Sequence, residues 1–558
     1  MNLFSTILGK DKYVCIVILM LGFAVYSPVI NGPFLFDDDM FIVQNKQVHS
    51  LWNIPQMLVS STSDRTIDTQ SNFYRPLQQI AYSFLYALFG ANPLFFHLFS
   101  ILLHSCNAFL LFAFFVLLLE QLAIQKNKNG MFQKNRIVAL VGSILFLVHP
   151  INTEAVCYIS GLADILGMFF MMICLLFFVK INNADQKSKQ YTGITIAAFV
   201  LALLSKENLV IIFPVLFLLY FVVMSLETNS KFQFSFMNDR RGVLLGLFLC
   251  LTITYVILKF TVFNFTGNTG LTDQQNAYTE SVFIRIATFI HVFPEYLKMI
   301  FFPAQLNYEK PYVAYTNLDS QEAALGFLSL ITIICITVFA FIRKYYLVFF
   351  SLCWFTIALL PYTGIIALNS IYLEHWLYFP LVGFCLLIAV LLYQLSEQGV
   401  KLVSFALLFL FIFMSVRTTA RAYEWADIEK FYTNELKYTK EAGRIYNNLA
   451  MYYADHKNIP KAIQYYEKAI QLRDVYPQVH YNLGNLYRDK GDVNKAMDEY
   501  YRALMMNPNF YYSLGEMVNI CLDHNMIDKA QIFKELYNRA STKADVTLPE
   551  IEKAFSNN

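Results

Sequence analysis

The chain has 558 residues, of which 57% are hydrophobic and 17% aromatic, and only 15% carry charge. Soluble domains carry about a quarter, so the composition excludes a soluble protein built around one core. A net charge of +2 and an isoelectric point of about 7.9 supply no global basic field, which sets nucleic acid aside as a partner.

The first apolar run, Val14 to Ile30, follows Lys10 and Lys12 and lacks a good cleavage site, so it reads as an uncleaved first span. It exits into Gly32-Pro33-Phe34-Leu35-Phe36-Asp37-Asp38-Asp39, three adjacent carboxylates at the membrane edge. Like-charge repulsion raises the pKa of neighbouring acids, and a carboxylate held there can take a proton from a hydroxyl or bind a divalent cation. A solvated acidic loop is the plain alternative. Next comes Asn72-Phe73-Tyr74-Arg75-Pro76-Leu77, whose guanidinium suits a phosphate, or lipid headgroups if it merely snorkels.

After the apolar run Leu94 to Leu119, Lys126, Lys128, Lys134 and Arg136 mark a cytoplasmic loop by the positive-inside rule. Lys180, Lys187 and Lys189 mark a second, and Lys231, Arg240 and Arg241 a third. The opposite face then receives His149-Pro150-Ile151-Asn152-Thr153-Glu154 with Gly161 and Asp164, and also Ser205-Lys206-Glu207-Asn208. Ionisable groups this near the hydrocarbon are functional candidates.

Phe283 to Phe302 is apolar but carries Arg285, His291, Glu295 and Lys298. With that segment at the interface, hydropathy gives about 11 spans; with it crossing, about 12. The first reading puts Arg343, Lys344 and Lys401 inside and exports the C-terminus. Glu374, His375 and the aromatic-belt residue Trp376 stand at the entry of a later span. One sequon, Asn264-Phe265-Thr266, falls in an exported segment.

Beyond about Arg421 the apolar residues become periodic. Leu449, Ala450, Tyr453, Ala462, Tyr466 and Ala469 recur as Leu483, Gly484, Tyr487, Ala496, Tyr500 and Ala503, the ~34-residue tetratricopeptide period. Repeats at 446–479 and 480–513, closed by Pro508, precede a degenerate unit at 514–545 that keeps Ala530 and suits a cap. The organisation read from sequence is thus a membrane part at 1–420, a repeat domain at 421–545 and a tail at 546–558. The repeats either bind a peptide or protein acceptor or pack on the membrane part or a neighbouring subunit.

In order, Phe36-Asp37-Asp38 with Ile42 and Asn45, Tyr74-Arg75-Pro76-Leu77 with His97 and His104, His149-Pro150 with Glu154-Ala155-Val156, Gly161 and Ala163-Asp164, Lys206-Glu207, Glu374 with Leu377-Tyr378 and Pro380, and Trp425 before the repeats resemble one family. It is that of the transmembrane and tetratricopeptide-repeat-containing O-mannosyltransferases and their bacterial relatives, within the GT-C class of membrane glycosyltransferases. Where this chain has Leu162 and His375 the family prefers arginine.

The resemblance implies an all-α fold, a GT-C-type polytopic helical bundle with a tetratricopeptide solenoid. It also implies an inverting, polyprenyl-phosphate-sugar-dependent transfer, with mannose the model hexose, to protein Ser/Thr on the non-cytoplasmic face of the bacterial inner membrane or endoplasmic reticulum. Asp37 or Asp38 would be the base. Arg75, His149, Lys206, Arg285 and His375 would contact the donor phosphate, and Glu154, Asp164, Glu207 and Glu374 would support the cavity. The family leans away from a resident metal at the aspartates. A non-catalytic membrane scaffold displaying the repeats, or a transporter of lipid-linked sugars, are the rival readings; the internal pseudo-symmetry of a transporter is not visible in the sequence.

Overall fold

A computed structural model describes residues 11–62, 73–125, 132–182, 186–227, 239–261, 278, 281–308, 313–368, 370–397, 401–439, 442–472, 474, 476–542 and 544–556. The sequon at Asn264 and the loop residues Lys126, Lys128 and Lys231 lie outside them. Among the described residues the chain is helical, with no strand, and contacts divide it into Met1–Asp427 and Ile428–Asn558. The division falls just beyond the helix Lys401–Trp425, whereas the loss of hydropathy begins inside that helix. Arg421 and Trp425 are both buried in the first unit, so packing continues where the apolar pattern stops.

In the first unit six helices are long and apolar enough to cross a bilayer, or seven if the bent pair Lys134–Val148 and Pro150–Cys157 is one span. Tyr346–Tyr362 and Pro380–Leu392 are apolar but shorter. By this criterion the described residues do not reach the eleven spans that hydropathy suggests: Ser188–Leu203 is shorter than a span and Val282–Phe301 carries three charged residues. Val282–Phe301 is amphipathic, burying Arg285 and His291 and pairing a half-buried Glu295 with an exposed Lys298 at 3.3 Å.

The bent pair turns by 48° at His149-Pro150. Pro150 has no N–H and its ring cannot follow a helical carbonyl, so the preceding turn loses its partners. Side chains supply them: Asn152 Nδ2 donates to Phe146 O at 2.6 Å, His104 Nε2 and Tyr26 Oη reach Leu147 O at 3.1 and 3.3 Å, and Thr418 Oγ1 donates to Val148 O at 2.7 Å. Broken helices are tolerated at membrane depth only when freed carbonyls are satisfied in this way.

The second unit is built of helical hairpins. Gly443–Asp455 packs on Ile459–Leu472, Pro477–Asp489 on Val493–Met506, and Tyr511–Asp523 on Ile527–Ser541; Ile428–Tyr438 precedes them and Leu548–Ser556 closes the array. Ala450, Ala462, Ala496 and Ala503 are fully buried where helices approach. A Cβ on Gly484 would lie 2.7 Å from the Tyr500 ring, which is why that position is glycine.

Each hairpin turns on one left-handed residue, Lys457, Gly491 or Asn525, at φ +58°, +85° and +57°. The residue after each donates its N–H back at 2.8 Å, to Tyr453 O, Tyr487 O and Cys521 O respectively. The recurrence follows the ~34-residue period. The eroded third hairpin therefore keeps the turn of the first two, and buries Leu514, Met517, Ala530 and Phe533 behind the closing helix.

Candidate functional site

The acidic triplet follows a backbone reversal. Phe36 sits at φ +50°, a left-handed conformation that is uncommon for a bulky residue and found where surrounding structure enforces it. The enforcing group is Asp38. Its Oδ2 accepts from Leu35 N–H at 3.0 Å, and its Oδ1 accepts from Ser160 N–H at 2.7 Å and Ser160 Oγ at 2.5 Å. Asp38 is buried and Asp37 and Asp39 are exposed. Burial pushes the Asp38 carboxyl up to about 7, the bonds from Ser160 and Leu35 opposing the rise and the neighbouring Asp37 charge adding to it. Asp39 instead accepts from the Gln44 amide.

Ser160 belongs to a tight turn, Ile159–Gly161, that connects the acidic loop to the rest of the site. Gln78 Nε2 donates to Ser160 O at 2.8 Å, and Tyr82 Oη to Ile159 O at 2.9 Å. A Cβ on Gly161 would stand 2.5 Å from Ala155 O, so only glycine permits this approach. Tyr158 accepts from the Asp37 N–H at 3.2 Å. Its ring stacks on Trp425 at 5.9 Å and meets the edge of Tyr308, which stacks on Phe36 at 4.4 Å. Four rings from four separate segments thus gather beside the exposed Asp37 carboxylate.

Beyond Ser160 lies a four-charge cluster. Lys206 Nζ meets both Asp164 oxygens at 2.6 and 2.7 Å, and Arg75 forks onto Glu207 through Nε at 3.0 Å and Nη2 at 3.1 Å. Lys206 and Asp164 are buried; Arg75 and Glu207 are partly so. The backbone holds the two halves together, Leu77 N–H donating to Leu204 O at 3.2 Å. Two cations and two anions balance here, and Arg75 keeps its Nη1 edge clear of Glu207.

A second ionic group borders the turn. Glu154 grips His375 twice, Oε2 accepting from the backbone N–H at 2.8 Å and Oε1 facing Nδ1 at 2.7 Å. Buried Glu374 lies 3.8 Å from buried Arg421, which also donates to Glu424 at 2.7 Å. Two expected phosphate contacts face elsewhere. His149 donates Nε2–H to Ile300 O at 2.9 Å and accepts Ile151 N–H on Nδ1 at 3.2 Å, so both nitrogens of a neutral ring serve the bend. Arg285 donates to Gly364 O at 2.7 Å and Tyr278 O at 3.2 Å, tying its helix to a loop. Among the described residues no three of His, Cys, Asp and Glu are grouped as a metal site requires.

Sequence reasoning missed Ser160, Tyr308 and Arg421. Nothing marks a serine as the partner of a carboxylate so distant in the chain. Arg421 stands where the apolar pattern gives way to a periodic one, so the sequence alone assigns it to the soluble domain.

The Tetratricopeptide repeat family matches residues 443–474 and 477–510. Protein O-mannosyl-transferase TMTC4 of Homo sapiens is 24% identical over 479 residues, which cover 78% of this chain and 63% of that protein. A protein O-mannosyl-transferase of Caenorhabditis elegans is 25% identical over 471 residues, 83% of this chain and 63% of its own length, and TMTC3 of Mus musculus is 21% identical over 495, covering 83% and 51%. The chain is TMTC-like and tetratricopeptide-containing. It spans between half and two thirds of the length of these relatives, and its similarity runs through the membrane unit as well as the repeats.

Proposed function

We propose that the TMTC-like chain is a membrane glycosyltransferase that moves a hexose such as mannose from a polyprenyl-phosphate donor to a protein Ser/Thr hydroxyl on the non-cytoplasmic face. The observation that carries this reading is the split of the acidic pair, with Asp38 buried as the anchor of the turn and Asp37 exposed beside the aromatic cluster. The names of the relatives, protein O-mannosyl-transferases, agree with it. Lysine and arginine in the intervening loops support the orientation.

In this mechanism Asp37 takes the proton of the acceptor hydroxyl as its oxygen attacks the anomeric carbon. The carbon–oxygen bond to the lipid phosphate breaks with its electron pair going to phosphate, and the configuration inverts. Charge growing on the phosphate is met by the Nη1 edge of Arg75 and the field of Lys206, with His375 Nε2 as a further donor. His149 and Arg285 act through structure. The repeat unit would present the protein acceptor.

The test is transfer of labelled mannose from polyprenyl-phosphate mannose in membranes holding the wild type, Asp37→Asn or Asp38→Asn. The proposal expects transfer by the wild type and its loss in Asp37→Asn at unchanged thermal stability. Equal transfer by wild type and Asp37→Asn would remove Asp37 as base; no transfer from any polyprenyl donor would favour a non-catalytic scaffold.

A further inference from the structure

The loop after the acidic triplet and the helix that follows it are packed with their polarity reversed. Helix Pro76–Phe89 buries Gln78, Gln79, Tyr82 and Ser83 and exposes Phe84, Leu88 and Phe89. In water a surface helix does the opposite. Next to it, the stretch Leu51–Met57 and the two residues after it expose Leu51, Leu58 and Val59 and leave Trp52 93% accessible. The two segments form one surface. Tyr74 Oη donates to Leu58 O at 2.7 Å, Thr62 Oγ1 to Phe73 O at 2.8 Å and Gln79 Nε2 to Ser61 O at 3.2 Å, while His49 stacks on Tyr86 at 4.0 Å. No Asp, Glu, Lys or Arg occurs between Lys46 and Asp64, or between Arg75 and Glu120.

From this we infer that the surface carrying Trp52, Leu58, Phe84 and Leu88 is a membrane-seated apron, whose occupant is the bilayer lipid at the headgroup boundary. Three observations favour lipid over a soluble protein partner. The reversed polarity belongs to a helix wholly without charge. It leads, after Gly90, straight into the apolar span Pro93–Ile124. A tryptophan with an apolar ring and one N–H is the side chain best matched to the headgroup layer. Seating the apron there fixes the depth of Arg75, at the start of the same helix, and of the acidic turn upstream. The inference does not depend on the transferase reading.

The sequence makes the test direct. Of its four tryptophans, Trp354, Trp376 and Trp425 are buried, so Trp52 alone is accessible. The full chain and Trp52→Phe are reconstituted in vesicles of phosphatidylcholine brominated near the headgroup end of the acyl chain, and the difference in emission isolates Trp52. The apron predicts blue-shifted difference emission that loses most of its intensity in brominated vesicles relative to unbrominated ones and resists aqueous iodide. Red-shifted emission quenched by iodide and indifferent to bromine would overturn it and leave the surface to a soluble partner. Trp52→Phe alters an exposed ring only, so equal far-ultraviolet circular dichroism of the two proteins is expected.

Discussion

Replacing Asp38 by asparagine tests the division of labour between the two carboxylates through stability alone. In the folded chain burial lifts Asp38 to about 7, against the opposing bonds from Ser160 and Leu35 and with help from the Asp37 charge; unfolded, it titrates near ~3.9. A folded value above the unfolded one means that the native state holds the extra proton between the two. Stability from this group is therefore fully present below about pH 4, falls as pH rises, and is lost above about pH 7. The slope is about 1.4 kcal/mol per pH unit, and the whole fall is on the order of 4 kcal/mol.

Asparagine carries no charge to bury, but turns an amide NH2 towards the N–H of Leu35 or the donors of Ser160, at a cost of about 1–3 kcal/mol. The variant should thus be weaker than wild type by about 1–3 kcal/mol below about pH 4, draw level with it between about pH 5 and 6, and be more stable than it by about 1–3 kcal/mol at about pH 8. The assay is the apparent unfolding temperature of the full chain in nanodiscs, read by tryptophan emission at one scan rate, with inactivation half-life as a check on irreversibility. Parallel wild-type and variant profiles across this range would refute the buried latch.

Three further outcomes follow from other contacts. Lys206→Met or Asp164→Asn alone strands a buried charge or its partner and should lower stability by about 3–5 kcal/mol, while the double variant recovers most of the loss in a double-mutant cycle; additive losses would mean that the two do not act as a pair. Gly491→Ala meets no atom within 4 Å, so its effect isolates the left-handed backbone and should cost about 1–2 kcal/mol in thermal unfolding of the repeats, with unchanged helical content. His480 is buried, which lowers its pKa, but hydrogen bonds from its ring to Glu499 at 2.6 Å and Asp474 at 2.8 Å raise it above the ordinary value. Its stabilisation is present below about pH 6.5 and lost as pH climbs through the raised value, a dependence that His480→Gln should remove from a pH series of melts.

The repeats were legible because small and aromatic residues recur at a fixed spacing, a signal that needs no tertiary context. The third hairpin was legible only as a degenerate cap: its side-chain pattern has faded, whereas the turn at Asn525 is a backbone property that a sequence scan does not score. In the membrane unit, order and polarity located the acidic triplet, Arg75 and the Lys206–Glu207 pair, since ionisable residues stand out against apolar runs. Their partners did not stand out. Asp38 and Ser160 lie far apart in the chain, and whether a carboxylate is a base or a buried latch depends on that contact. His149 shows the same limit, because a histidine before proline looks like a ligand until the carbonyl of Ile300 is seen to accept a hydrogen bond from its ring.

The three left-handed turns of the repeat unit have a mechanical consequence. Each is a short rigid elbow whose geometry is set by one residue and one returning N–H, while the aromatic rings between helices are larger and more easily rearranged. The opening of each hairpin is therefore decided at Lys457, Gly491 and Asn525, three points on a common pitch, and the curvature of the array is a backbone quantity. Lengthening or re-aiming this surface is best done by transplanting whole hairpins with the elbow inside each, since a cut at an elbow would leave two half-hairpins with no fixed angle.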